Sequence, residues 1–403
     1  MDQQLLNKIE LELKKAVPQK ATAAWVKKYF NNTGPVDLTA FDRVLLAPMR
    51  ELLGRGGKRW RPYLLVLCAQ TSQSGVPPSS LAKLETSEGQ SGPSWNNLTT
   101  AKVGSDLAGS AVALALAPVP ELLHNATLIV DDFEDRSPER RGGLAIHKIY
   151  GEDIALNAAN FFYFYPILYL RVLAKGGSVP LLALASMESS IVEEMANVHL
   201  GQALDIYWHN NPDHPVTEAM YFEMCRLKTG TMARLAARLG VLAAIAGSDL
   251  AVSRARTASP EASKASFSSV PAQPLASPAE LGKFAETLGV AFQIRDDLEN
   301  ISPQGRPGKA LGDDITEGKR SLLVIRALTQ LRPAAAAELK QILKSHSQDR
   351  GPISRAIELI NSTDAFIYTR QTIIKYKQKA LKILAESELK DVSQLADLAN
   401  QIA

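Results

Sequence analysis

The stretch Asp131-Asp132-Phe133-Glu134-Asp135, continued by Arg136-Ser137-Pro138-Glu139-Arg140-Arg141-Gly142, decides how this chain is read. Before it runs His124-Asn125-Ala126-Thr127-Leu128-Ile129-Val130, mostly apolar and free of helix breakers. The pattern predicts a buried helix that ends in acid. Asp131 and Asp135 are four apart, so on a helix their Cβ atoms share a face at about 5–6 Å. Two carboxylates that close repel unless a cation sits between them. Hard oxygen ligands suit Mg2+, which keeps waters and bridges to substrate phosphates. Arg140 and Arg141 follow at once, and guanidinium is shaped for phosphate oxygens. Acid for metal and arginine for phosphate predict a metal–diphosphate site.

One acidic cluster alone would be an ordinary solvated helix end. A second one changes the reading. Phe292-Gln293-Ile294-Arg295-Asp296-Asp297-Leu298-Glu299-Asn300 also follows an apolar run, Leu288-Gly289-Val290-Ala291. Asp296 and Asn300 repeat the spacing of four. Two apolar helices that each end in Asp-Asp can face each other and hold metal ions between them. A third charged segment lies upstream, Gly54-Arg55-Gly56-Gly57-Lys58-Arg59-Trp60-Arg61-Pro62. Its glycines expose backbone N–H groups beside clustered cations, and Pro62 suits the first turn of a helix. This makes a local anion site.

The 403 residues are 46% hydrophobic and 22% charged, enough for a sizeable core. A net charge of +3 argues against a nucleic-acid or membrane-surface binder. The two cysteines, Cys68 and Cys225, have no metal-type spacing and fit a reducing compartment, the cytoplasm. Met1 to Glu10 lacks the apolar core of a secretory signal. Ile154 to Leu170 is uncharged and rich in aromatics, yet it is short for a membrane span and contains Asn157, Asn160 and Pro166. A buried core helix is expected there. Residues 71–105 and 250–277 are Ser-, Gly- and Pro-rich or Ser-, Ala- and Pro-rich, without apolar periodicity, and read as insertions in one domain spanning 1–403. Convincing alternating strands are missing, so the fold class is all-α.

Five stretches occur in a fixed order: Gly57-Lys58-Arg59-Trp60-Arg61-Pro62, the Asp131 cluster with Arg140-Arg141-Gly142, Lys228-Thr229-Gly230, Phe292 through Asp297, and Gly312-Asp313-Asp314 through Lys319. Together they resemble the trans-isoprenyl diphosphate synthases, or polyprenyl synthetases, over roughly residues 50 to 325. His124-Asn125-Ala126, Asn157-Ala158-Ala159-Asn160 and Gly201 through Trp208 look most like the geranylgeranyl diphosphate synthases of the eukaryotic kind. Asn300 stands where the broader family usually has Asp, a mark of that subgroup.

The resemblance implies an isoprenoid synthase helical bundle around a central cavity, usually a homodimer, with two acidic clusters facing each other at the mouth. It implies Asp131, Asp135 and Asp296 as Mg2+ ligands, with Asp132 and Asp297 behind them. Arg140, Lys228, Lys309 and Lys319 would hold the allylic diphosphate (dimethylallyl, geranyl or farnesyl). Gly57, Lys58, Arg61, His124 and Arg141 would hold isopentenyl diphosphate, and Thr229 and Gln293 would face the developing cation. Small Ala126 and Thr127 would let the product grow past the Asp131 helix, and Tyr163, Phe164 and His199 would floor the cavity at C20. Farnesyl or longer polyprenyl products are the nearest alternatives. A class I terpene cyclase would need an Asn/Asp-Ser/Thr-Glu triad, which is absent. A silent synthase subunit should have lost one acidic cluster, and both are here.

Overall fold

The computed structural model describes residues 1–30, 34–72, 105–258, 278–302, 312–389 and 391–402. The helices run in the order α1 (Gln3–Ala16), α2 (Ala23–Phe30), α3 (Leu38–Phe41), α4 (Ala47–Gly54), α5 (Trp60–Ser72), α6 (Ser105–Leu116), α7 (Pro118–Glu134), α8 (Ile146–Tyr150), α9 (Glu152–Lys175) and α10 (Leu181–Asn210). They continue as α11 (Glu218–Cys225), α12 (Thr231–Ala258), α13 (Pro278–Asn300), α14 (Asp313–Thr316), α15 (Leu322–Gln330), α16 (Pro333–Ser345), α17 (Arg350–Asn361), α18 (Ala365–Ala385) and α19 (Ser393–Ile402). Two π-helical turns, Asp42–Leu46 and Arg226–Gly230, are spliced between them. Among the described residues the strands are a single antiparallel pair, β1 (Glu139–Arg140) and β2 (Gly143–Leu144). The fold is all-α, as the sequence predicts. Most of the two expected insertions lies outside the described residues, although α12 runs on into the second as far as Ala258.

α7 starts at Pro118, with Pro120 also inside its first turn. Proline costs nothing in a first turn because that N–H has no intrahelical partner. α9 is the aromatic helix. One face buries Phe162, Tyr165 and Tyr169. Tyr165 accepts a hydrogen bond from Trp25 at 3.3 Å and donates to the Ala16 carbonyl at 2.6 Å, which ties α1 and α2 to α9. Among the described residues, the stretches long and apolar enough to cross a membrane are Gly109–Glu134 and Glu218–Ser248, and their most apolar parts are 78% and 83% buried inside the bundle.

α12 runs through the middle, packed on α5, α6, α10 and α13. α13 is shared by two apolar clusters. Leu281, Phe284, Leu288 and Phe292 join the cluster of the N-terminal helices. Val290, Ile294 and Leu298 join the cluster of α11 and α15–α18. The helix that carries the second acidic cluster is therefore gripped from both sides. A buried ion network locks it further. Glu194 of α10, fully buried, pairs with Arg234 and Arg238 of α12, and Arg234 and Arg226 both reach Glu286 of α13. Removing one partner from such a network leaves an unpaired buried charge, which costs about 3–5 kcal/mol.

Candidate active site

A cavity of about 420 Å³ opens between α7, α10, the Arg226–Gly230 turn and α13, with Tyr163 of α9 in its wall. α7 contributes Glu121, His124, Thr127, Leu128, Val130, Asp131 and Glu134. Steps of three and four residues place most of these on one helical stripe. Ala126 is off that stripe and fully buried in the core, so it does not border the growing chain as expected. α10 contributes Val198, His199, Gln202 and Asp205 by the same periodicity.

The acidic end of α7 differs from the expectation in one respect. The helix stops at Glu134, and Asp135 is its C-cap. Asp135 keeps helical backbone angles, with its N–H bonded to the Asp131 carbonyl, and its buried carboxyl receives Lys319 at 2.8 Å. The acid that accompanies Asp131 on the wall is Glu134, and Gln202 donates to both, at 3.1 and 2.7 Å. Asp132 is fully buried and anchors Arg140, whose Nε reaches it at 2.7 Å. Arg140 also lies 3.7 Å from Asp131. Lys228 donates to Asp131 at 3.1 Å and to Asp205 at 2.6 Å. Burial opposes the charge on Asp131, but Lys228, Lys319 and Arg140 outweigh it and hold the carboxyl well below the usual range. Lys228 can approach because α10 presents Gly201, where a Cβ would lie 2.5 Å from the Lys228 nitrogen of the backbone.

Arg140 and Arg141 are neighbours in sequence but serve opposite sides. The β1–β2 turn has positive φ at both Arg141 (53°) and Gly142 (73°), the geometry of a type I′ hairpin. Arg140 points to the acids. Arg141 points to the basic loop, donating to the Gly56 carbonyl at 2.6 Å and to Asn125 at 3.0 Å. Gly57 has φ of 144°, and a Cβ there would come within 3.2 Å of the Arg141 guanidinium. Burial pushes Arg141 down to about 10. Lys58 lies 5.1 Å from the Phe292 ring, and Arg61 stacks at 4.6 Å on Trp60. Burial, with Arg61 and Arg141 close by, keeps His124 neutral by driving its pKa well below 6.5.

Several supporting groups were not anticipated. Arg59 sits at a positive φ of 48°. It is held there by Glu10 at 2.6 Å, Glu121 at 2.7 Å and the Leu53 carbonyl at 2.7 Å. Glu121 is one turn before His124, a position the α7 periodicity would have found. On the α13 side, Asp296, Asp297, Gln293, Asn300 and Asp314 all line the cavity. Asn300 accepts the Asp314 backbone N–H at 3.1 Å, so it fastens the segment leading to Lys319. Burial and then Asp314 raise the Asp297 carboxyl to about 7. Tyr163 and His199 meet edge-to-face at 5.4 Å on the cavity wall. Phe164 does not: it is 68% exposed on the outside of α9. Lys309 lies outside the described residues.

Residues 42–257 and 250–360 match the sequence profile of the polyprenyl synthetases. This chain belongs to the polyprenyl synthetase family. The synthetase is a trans-prenyltransferase. It is 32% identical to geranylgeranyl pyrophosphate synthase olcC of Penicillium canescens over 71% of this chain and 72% of that one. It is 27% identical to geranylgeranyl pyrophosphate synthase 2 of Zymoseptoria tritici over 95% and 98% of the two chains. The fold of the synthetase matches the crystal structure of geranylgeranyl pyrophosphate synthase from Corynebacterium glutamicum complexed with isoprenyl diphosphate and magnesium. That match has a TM-score of 0.71 at 21% identity, over 100% of this chain and 99% of the other.

The donor set suits a divalent cation. Asp131 and Asp296 offer hard carboxylate oxygens on the cavity wall. Among the described residues, no three His, Cys, Asp or Glu side chains are gathered as a ready-made cage. That arrangement fits an ion that keeps waters and shares substrate phosphates.

Proposed function

We propose that this synthetase condenses an allylic diphosphate with isopentenyl diphosphate head to tail and releases C20 geranylgeranyl diphosphate. The observation that carries the reading is the presence of two separate cationic groups on one cavity. Lys228, Lys319 and Arg140 stand among the acids, while Lys58, Arg61 and Arg141 line the same cavity as neutral His124. A cyclase that takes one diphosphate has no use for the second group.

In this reading Lys228, Lys319 and Arg140 take the allylic diphosphate, exchanging their carboxylate partners for phosphate oxygens. Lys309 joins them. Asp131 and Asp296, with Asp135, Asp132 and Asp297 beside them, would hold Mg2+, which would supply Lewis-acid neutralisation of the leaving diphosphate. Lys58, Arg61, Arg141, His124 and the Gly57 backbone fix isopentenyl diphosphate, so its double bond lies against the allylic carbon. Thr229 and Gln293 face the cation as it develops. The departing diphosphate takes the proton. Val198, Leu128 and Met232 give the chain an apolar, water-poor channel. Tyr163 and His199 close it. The protein works as a single domain and a homodimer in the cytoplasm. Phe164, Leu181, Leu182, Val192 and Leu200, exposed on α9 and α10, supply apolar surface for self-association. The buried, unbridged Cys68 and Cys225 suit a reducing setting.

Steady-state kinetics test the two-subsite reading. Lys58→Ala and Arg61→Ala should raise KM for isopentenyl diphosphate more than for the allylic primer, and Lys228→Ala should do the reverse. Equal loss for both substrates in every variant would contradict it.

A further inference from the structure

Three helical segments meet behind the second acidic cluster through one unbroken hydrogen-bond chain. Tyr221 of α11 is fully buried, and its hydroxyl donates to Asp297 Oδ2 at 2.6 Å. Asp297 Oδ1 accepts from Gln293 Nε2 at 2.7 Å. Gln293 Oε1 accepts from the Thr229 hydroxyl at 2.5 Å.

The direction of this chain is set when Asp297 is ionised: a carboxylate then only accepts, so both Tyr221 and Gln293 donate to it. An amide has its donor at one end and its acceptor at the other, so Gln293 must turn its oxygen to Thr229. Thr229 has a single hydroxyl hydrogen and spends it there. What remains on Thr229 Oγ1 is lone pairs only, on a residue that lines the cavity. Fixed acceptor lone pairs stabilise a developing cation, whereas a freely turning hydroxyl would present its hydrogen part of the time.

We infer that Tyr221 is a positioning residue of prenyl transfer: by pinning Asp297 from behind, it sets the polarity of the chain through Gln293 and aims the lone pairs of Thr229 at the allylic cation. Tyr221 touches no reacting atom and acts only through its neighbours. Cys225, one turn along, is buried against the same hydroxyl.

The inference rests on the prenyl-transfer reading, and the test separates the two. Two diphosphate ligands would be titrated calorimetrically with Mg2+ into the full chain. One is an unreactive thiolo analogue of the allylic substrate, uncharged at its first carbon. The other is an ammonium analogue with a positive charge in place of the cation. Tyr221→Phe keeps the ring and removes one hydroxyl. It should leave thiolo affinity within about twofold, weaken the ammonium analogue about tenfold, and lower kcat by a similar factor with allylic KM unchanged. Thr229→Val should copy this loss and Thr229→Ser should not. Adding Tyr221→Phe to Thr229→Val should cost little more. Equal weakening of both analogues, or additive losses in the double variant, would overturn the inference. Wild-type protein that binds neither analogue would overturn the prenyl-transfer reading with it. Wild-type preference for the ammonium analogue, kept intact in Tyr221→Phe, would overturn only the role of Tyr221.

Discussion

Asp131 meets Lys228, Arg140 and Gln202 at once, so one carboxylate ties α7 to β1, α10 and the Arg226–Gly230 turn. Its loss should abolish product formation. In Asp131→Ala the helical circular dichroism signal should persist, because Asp131 lies on the cavity wall and not in the apolar core; near-normal turnover at saturating Mg2+ would contradict its assignment. Glu121 gives a prediction about pH. Burial alone would raise its carboxyl, but Arg59, Arg141 and Arg61 outweigh burial and lower it below 4.5. A lowered folded-state pKa means stability that is fully present above about 4.5 and lost as pH falls through the folded value. Melting curves should show Glu121→Gln destabilised at neutral pH by on the order of 3 kcal/mol. The difference from wild type should shrink as the pH drops below about 4.5. A gap that stays constant with pH would mean that Glu121 is not ionised in the fold. Asp131 and Arg140 were legible in the sequence because charge that follows an apolar run is conspicuous, and Lys228 through the family resemblance of its Lys228-Thr229-Gly230 stretch. Tyr221 was not, because one polar group on a buried helix looks like any other until its partner, distant in sequence, is seen; for Glu121 the α7 periodicity marks the face but not the Arg59 partner.

At the scale of elements, periodicity located the helices but not their faces. The α7 stripe runs through His124, Thr127, Asp131 and Glu134, while Asp135, the cap, pairs with Lys319. Helix ends depend on cap geometry that sequence patterns resolve only to a residue or two. The same limit separated Tyr163 from Phe164. In a run of aromatics either neighbour could face inward, and only packing against α10 settles it. Product length should follow the faces. Thr127→Phe should block the channel and shorten the product to C15. Tyr163→Ala should let it lengthen. Phe164→Ala should leave length unchanged and weaken self-association measured by sedimentation. Ala126→Phe, placed in the core, should lower the melting temperature, since overpacking costs about 1–3 kcal/mol. Chromatography of the dephosphorylated products reads the first three. A longer product from Phe164→Ala, with none from Tyr163→Ala, would reverse this map.

For the whole molecule, the ordered set of charged stretches was enough to foresee an all-α bundle around a cavity. Its support was less visible. The α13 helix is buried on two sides by two separate apolar clusters whose members lie far apart in sequence, and no local pattern records that. Nor does any record the Glu194–Arg234–Glu286 network that holds α10, α12 and α13 in register. These long-range supports carry the wall residues to one another, and their combined geometry makes a single claim about chemistry: two diphosphates, one cation, and a channel closed at a fixed depth. The most direct measurement is mass spectrometry of the prenyl diphosphate formed from isopentenyl diphosphate with dimethylallyl, geranyl or farnesyl diphosphate in turn. The account predicts that every accepted primer ends at the same C20 product. A C15 end product, or a cyclic hydrocarbon formed without consuming isopentenyl diphosphate, would contradict it.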